Sequence, residues 1–270
     1  MIRFPVSFVA AVLTTGSAPA EPIRPPLVVY AAGSTTGVLQ AMIDRYSERT
    51  GQRVTLHTGP AGLMRERIEA GDKVDLFVSA NMDHPRRLQA EGLAGPVALF
   101  ARNSLCVSAL PTVGLTQANL LDRLLDPRVR IGTSTPGADP GGDYAHKFFE
   151  RADAIRPGST ATLKAKAQAV VGSRIEEPAA APTGSAADAM IRRNIDTSVG
   201  YCSSRVTTPD TSVAKVRVPA ALAVPIRYGM TVVSTSKDGR RMGAAKRLAS
   251  YLRGAEAQAL MASFGFSRVQ

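Results

Sequence analysis

The chain has no tryptophan and is thin in other aromatics, with eight Phe and six Tyr among 270 residues. Sugar-binding and base-stacking surfaces rest on aromatic platforms, so this scarcity argues against both. Histidine is scarce too: His57, His84 and His146 are the only three, and none belongs to an HExxH pair. A Gly-x-Ser-x-Gly elbow is also missing, which leaves metallo- and serine-hydrolase chemistry without its usual residues. Asp75 and Asp143 lie far apart, and Asp75, inside an apolar stretch, suits a bond to backbone better than catalysis. The chain is therefore not expected to be an enzyme. No run approaches the roughly 20 apolar residues needed to cross a bilayer as a helix.

Cysteine is limited to Cys106 and Cys202, in neither a CxxC nor a Cys/His spacing, so metal binding and redox catalysis are poorly supported. Two readings remain for the pair: one disulfide in an oxidising compartment, or two buried thiols. Acidic residues are outnumbered, 22 against 33 Lys and Arg, for a formal net charge of +11. Such an excess points to an anionic partner. The basic residues are scattered, however, in runs no longer than Arg-Arg at 86–87, 192–193 and 240–241. No nucleic-acid partner is expected, and the excess favours a small anionic ligand.

What is present begins with MIRFPVSFVAAVLTTGSAPAEP. Arg3 gives a positive start, residues 4–13 are mostly apolar, and Ala18-Pro19-Ala20 forms a small-x-small site. That is the pattern of a secretory signal cut before Glu21. Pro5 and the Thr-Thr-Gly-Ser stretch suit a helix interior poorly, which disfavours a buried N-terminal helix. A signal peptide over 1–20 and an exported, periplasmic mature chain of about 250 residues follow, a length typical of two lobes.

The mature chain alternates strand and helix patterns. PLVVYA (26–31) is a near-continuous apolar run, as in a strand buried on both faces. Apolar residues at 38, 39, 42, 43 and 46 then form a helical stripe that ends at Gly51. VTLHT (54–58), a short helix closed by Gly71, KVDLFVSA (73–80) and the helix DHPRRLQAEG complete a βαβαβα order, which implies a parallel sheet flanked by helices. A second such unit holds strands over SLCVSAL (104–110), VRIGTST (129–135) and SVGYCSS (198–204). Its helices are LTQANLLDRLLD, DYAHKFFERA and GSAADAMIRRN. Residues 155–182 read as a weak helix plus loop, PIRYGMTVVST (225–235) as a strand, and the tail as two helices.

In open α/β sheets ligands sit beyond the carboxyl ends of the strands, where a starting helix offers unpaired amides and a positive dipole end. Three handovers have this chemistry. AAGSTTG puts Ser34, Thr35 and Thr36 at the first helix, HTGPAG puts Gly59 to Gly62 at the second, and GADPGGDY puts Gly141 and Gly142 at a third. PTGSAAD, with Gly184 and Ser185, is a weaker fourth. Each residue type is also simply a good cap or turn former. Four such places in one exported chain favour a cleft for an anion.

VVYAAGSTTGVLQAMIDRYSERTG, RIEAGDKVDLFVSAN, NSLCVSA and AKRLASYLRGAEAQALMASFGF together resemble the periplasmic molybdate-binding proteins of ABC importers. The similarity runs from about residue 27 to 268 and is loosest across 155–182. It implies a two-lobed α/β fold of the periplasmic-binding-protein type II class, each lobe a mainly parallel sheet flanked by helices, with the ligand cleft between them. On that pattern residues 21–102 and about 230–270 form one lobe, and 103–229 the other.

The resemblance also implies ligand groups. The family Ser at the end of the first strand falls on Ser34. The second family Ser falls nearest Ala61, so its hydroxyl is missing here. Backbone amides fall on Gly141 and near Gly184 or Ser185, and a Tyr hydroxyl from a late strand on Tyr201. Thr35, Gly62 and Gly142 are neighbouring candidates. Arg65, just inside the second helix, either points to solvent or faces the cleft, where its guanidinium would favour a carboxylate or larger anion over molybdate. The same alignment pairs Cys106 with Cys202 as a disulfide between two second-lobe strands. The implied ligand is molybdate or tungstate, held with no cofactor and no metal ion apart from the oxyanion. The implied partner is an inner-membrane ABC permease, and the implied state a monomer. Two rivals stay open: an organic carboxylate or other anion as ligand, and a role in sensing.

Overall fold

The structure, a computed structural model, describes residues 25–173, 184–203, 207–208, 210–234, 238–267 and 269. The expected signal peptide lies outside the described residues.

Two five-stranded sheets carry the fold. In chain order the first half contains β1 (Leu27–Ala32), α1 (Thr36–Thr50), β2 (Val54–Gly59), α2 (Ala61–Glu69), β3 (Leu76–Ser79), α3 (Asp83–Ala90) and β4 (Ala98–Asn103). The second half runs through β5 (Leu105–Ala109), α4 (Leu120–Leu125), β6 (Ile131–Ser134), α5 (Pro140–Ala152), α6 (Ser159–Lys166), β7 (Ala167–Val171), α7 (Ala186–Arg192), β8 (Thr197–Tyr201) and β9 (Ala214–Arg217). The chain then returns to the first half with β10 (Ile226–Val232), α8 (Gly239–Leu252) and α9 (Ala255–Ser263).

The sheet orders are β2-β1-β3-β10-β4 and β7-β6-β8-β5-β9. In each, the first three strands are parallel and the fourth pairs antiparallel on both sides. Four strands therefore run one way and one runs against them. The reversed strand is β5 in one sheet and β10 in the other, each the strand by which the chain enters. The crossings are thus Asn103–Leu105 and the stretch before Ile226. Ile226 to Gly229 pair with β4, next to the boundary expected at about 230.

Each half buries its own aromatic and aliphatic side chains. Phe77, Phe100 and Tyr228 are fully buried in the first, Phe148 and Phe149 in the second. Asp75 bonds to backbone as expected, accepting from Val28 N at 2.7 Å. It also holds Arg241 of α8 through two contacts of 2.7 and 2.6 Å, at 3% exposure. That bidentate buried pair fastens the returning C-terminal helix to the first sheet; breaking it would strand a buried charge, at about 3–5 kcal/mol.

Three strands escape the sequence pattern: β4, β7 and β9. All three are edges. β7 replaces the loop expected within 155–182, and its residues are only partly buried or exposed. Residues 174–183 of that stretch lie outside the described residues. α4 is shorter than LTQANLLDRLLD suggests, because Thr116 and Asn119 bond each other's backbone amides at 2.8 and 3.3 Å and hold a turn in place of a helical one.

Candidate functional site

β1 ends in AAG because the chain must turn at once into a short 3-10 turn, Gly33–Thr35, and then α1. The three hydroxyls that follow divide their roles. Thr35, fully buried, bonds Ala32 O at 2.7 Å. Thr36 Oγ1 lies 2.8 Å from Gly33 O and 3.0 Å from Thr58 Oγ1. Both threonines thus stitch the turn. Ser34 alone points onward, its Oγ 2.8 Å from the Tyr228 hydroxyl.

From Tyr228 a chain of polar contacts reaches the second half. Asn103 Nδ2 donates to Ser203 Oγ at 2.9 Å and lies 3.3 Å from Tyr228 OH. Asn103 Oδ1 accepts from Ser104 N at 2.8 Å. The network Ser34–Tyr228–Asn103–Ser203 therefore runs along the first crossing. Burial pushes the Tyr228 phenol well above its usual range against the opposing pull of its bonds to Ser34 and Asn103.

Tyr201, at the end of β8, faces this network. Its ring lies 5.8 Å from that of Tyr228 and 6.4 Å, edge-on, from that of Tyr144. Its hydroxyl oxygen is buried and completes no hydrogen bond, although it is near enough to Tyr228 for the two phenols to influence each other. Burial is the main cause that keeps Tyr201 protonated, with Tyr228 and the carboxylate of Asp139 adding to it. A phenol held protonated is a donor, and a buried hydroxyl without a partner is destabilising by about 1–3 kcal/mol.

The two halves also touch directly. Gly62 N donates to Ala138 O at 3.0 Å, and Tyr144 OH donates to Ala80 O at 3.2 Å. At Gly62 a Cβ would stand 2.6 Å from Ala138 O and 2.8 Å from Gly137 O, so only glycine permits this approach. Ala61, fully buried, is the first residue of α2.

The other expected residues have local tasks. Gly141 N donates to Asp139 Oδ1 at 3.2 Å, so the helix N-cap holds the amide expected for a ligand. Gly142 N bonds Asp139 O at 2.9 Å, and Asp143 accepts from Gly137 N at 2.9 Å. Ser185 caps α7 through a reciprocal box with Asp188, while Ala186 N donates to Asp210 at 2.6 Å. Gly184 has φ +81°, a turn conformation, and adjoins Asp188. Arg65 does not point freely to solvent. It is 13% exposed and contacts Glu69 at 3.1 Å, Glu66 at 2.9 Å and His84 Nδ1 at 3.4 Å. The reason is local: α2 and α3 place two carboxylates and an imidazole around it. His84, buried with that guanidinium beside it, has its pKa lowered from 6.5 to about 4, burial being the larger cause.

The structure thus brings Ser34 and Tyr201 together through Tyr228, while Ala61 and Gly62 open α2, where Gly62 meets Ala138 of the other half. Tyr228, Asn103, Ser203 and Tyr144 join them without having been singled out in the sequence. One signal was available, a tyrosine in the middle of the strand IRYGMTVV. Cys106 and Cys202 form a disulfide, Cα atoms 4.8 Å apart, between β5 and the residue after β8. Among the described residues no cluster of His, Cys, Asp and Glu could hold a metal ion, and no helix is long and apolar enough to cross a membrane.

Comparison with known proteins gives three findings. The family model described as bacterial extracellular solute-binding protein matches residues 27–267. A Pasteurella multocida protein, the uncharacterized PM1146, is 39% identical over 168 residues, or 61% of this chain and 67% of that one. Among solved structures, the periplasmic molybdate-binding protein of Azotobacter vinelandii is 19% identical with a TM-score of 0.72, over 90% of this chain and 100% of that one. The sulfate-binding protein SubI of Mycobacterium tuberculosis is 16% identical with a TM-score of 0.71, over 92% and 88%.

Proposed function

The chain belongs to the bacterial extracellular solute-binding proteins, and from that premise we propose that it captures a tetrahedral oxyanion, molybdate or tungstate, between its halves for delivery to an ABC permease. The observation that carries this reading is the Tyr201 hydroxyl, a buried donor of the second half facing the Ser34–Tyr228 bond of the first. An acceptor bound between them would satisfy it. The α2 start adds first-turn amides that have no intrahelical partner. Two similar folds are named for tetrahedral oxyanions, which supports the same ligand class here.

The mechanism is closure. A ligand that contacts both halves shifts the open–closed equilibrium by its differential affinity for the closed form. The Gly62–Ala138 and Tyr144–Ala80 bonds are formed only with the halves together. Hydroxyls and amides replace the hydration shell, and a permease then recognises the closed face.

A second reading, an organic anion taken up or sensed, has its own support. Ala61 lacks the hydroxyl that the family ligand set has, Asp139 occupies the Gly141 amide, and its carboxylate bears on both phenols. The test is thermal unfolding of the mature protein with molybdate, tungstate, sulfate, phosphate and di- and tricarboxylates, for the native chain and Tyr201→Phe. A ligand at about one hundred times its dissociation constant should raise the midpoint by ~5–10 °C. Y201F should lose at least ~10-fold in oxyanion affinity, with unliganded stability unchanged or higher. A response confined to carboxylates would retire the oxyanion reading.

A further inference from the structure

A groove of about 670 Å³ opens beside Tyr144, the residue whose ring packs edge-on against Tyr201. Its size lies in the range of small-molecule sites. Its walls come from both halves: Asp83 and Arg86 of α3 and Arg227 of β10 on one side, Lys147, Glu150 and Arg151 of α5 on the other. Four cations thus converge with two carboxylates. Glu150 is engaged by Lys164 at 2.8 Å, which removes most of its counter-charge from the groove. Asp83 lies 3.8 Å from Arg86 in a well-exposed pair that neutralises little.

A second feature points the same way. Arg227 stands directly opposite Arg102 in the β10–β4 ladder. Residues opposite each other in an antiparallel pair share a face, and like charges so placed repel. The groove's positive charge is therefore gathered from three elements, α3, β10 and α5, with Arg227 held against the repulsion of Arg102 on β4, and an anion relieves it.

We propose that this groove is a second anion site, for a small molecule carrying two or more negative charges, such as pyrophosphate or a polycarboxylate. A single oxyanion is too small to reach cations on both walls of a groove this size, whereas two linked anionic groups can. The chemistry differs from that around Ser34 and Tyr201, where neutral hydroxyls do the work. The Tyr144–Ala80 bond stands beside it. Because the walls belong to different halves, an anion held by both favours the arrangement in which they face each other. Such a ligand would couple to closure, and closure to it, by the same factor. This site is independent of the ligand reading given above.

The experiment is thermal unfolding with pyrophosphate at constant ionic strength set by sodium chloride. It compares the native chain with Arg86→Gln/Lys147→Gln, which removes one exposed cation from each half. The native midpoint should rise by ~3–6 °C at about ten times the dissociation constant. The double variant should keep its unliganded midpoint and its response to molybdate, and lose the pyrophosphate rise. Y201F should retain that rise. No rise in the native chain overturns the proposal, and so does an equal rise in the double variant. A pyrophosphate response abolished by Y201F would locate the binding at the first site and overturn it as well. Should the double variant fail to fold, K147Q alone carries the same comparison, with at least a threefold weaker pyrophosphate response expected.

Discussion

The helices α2 and α5 begin alike and behave differently. One starts from Gly59-Pro60-Ala61-Gly62, the other from Asp139-Pro140-Gly141-Gly142. Both leave the carboxyl end of a strand, and both use proline where its fixed φ suits the helix entry. The difference is the residue before proline. With Gly59 there, the first turn of α2 has no side-chain cap, and Gly62 N donates across to the other half. With Asp139 there, α5 caps itself, and its early amides are satisfied inside their own half. One helix start is built to meet something; the other is built to stay put. The fastenings differ as well: a buried Asp75–Arg241 pair in the first half, the Cys106–Cys202 disulfide in the second.

The largest effect expected concerns that second fastening. The disulfide spans a sequence separation of 96, for which the chain-entropy model gives about 4–5 kcal/mol. C106A/C202A should therefore lose stability of that order in urea unfolding. Hydrogen exchange should show β5 and β8 weakened before β1 and β3. Uniform loss across both sheets would mean the halves unfold as one unit and the comparison of fastenings has no thermodynamic content.

The two glycines at the helix starts separate local packing from closure. At Gly142 a Cβ would meet Ser134 O at 2.4 Å and Pro136 N at 2.6 Å, all within the second half. No domain motion relieves that clash, so G142A should destabilise by about 2–4 kcal/mol. At Gly62 the clash is with Ala138 and Gly137 of the other half. Opening relieves it, so G62A should fold with nearly native stability and lose ~100-fold in ligand affinity. Denaturant midpoints and binding titrations on the two variants decide it. A strongly destabilised G62A would sink the idea that the contact belongs to closure.

Acid offers a reversible probe of the first half. His84 packs against Arg65 and is held near pKa 4, below the ordinary 6.5 of the unfolded chain. The unfolded chain takes up the proton first as pH falls. This contribution is complete above about pH 6.5, declines between 6.5 and 4, and amounts to ~3 kcal/mol at most. H84Q should flatten the stability profile across that window. An unchanged slope would assign the acid sensitivity to other groups.

Much of this was legible in the sequence, for physical reasons that can be named. Buried strands such as LVVYAA carry continuous apolar runs, and α1 carries its stripe from Val38 to Tyr46 with Gly51 in the left-handed conformation after it. The edge strands β7 and β9 carry no such run, since their side chains are only partly covered or exposed, and β4 interrupts its buried Phe100 and Ala101 with Arg102 and Asn103; the edge strand β2 was still legible. Ser34 could be named because it stands where a strand hands over to a helix, and Tyr201 through the family resemblance alone. The bonds that draw Tyr228 and Asn103 into the site could not be read, because they join residues more than a hundred apart in the chain. Around Arg65 the acids Glu66 and Glu69 of α2 were visible at i+1 and i+4, but the His84 imidazole of α3 becomes its neighbour only after the helices pack.

The smallest expected effect tests the opening comparison most directly. D139A leaves Pro140 and both glycines in place and removes the side-chain cap, which makes the α5 start resemble that of α2. Losing an N-cap carboxylate costs about 1 kcal/mol, and the second half should weaken by that amount. The same change frees the Gly141 amide and removes a negative charge that bears on Tyr201 and Tyr228. Oxyanion affinity should then rise ~3–10-fold while stability falls, two readouts moving in opposite directions. A plain structural cap would move stability alone. If affinity falls together with stability, Asp139 serves the ligand, and the self-capped helix start is part of the binding site after all.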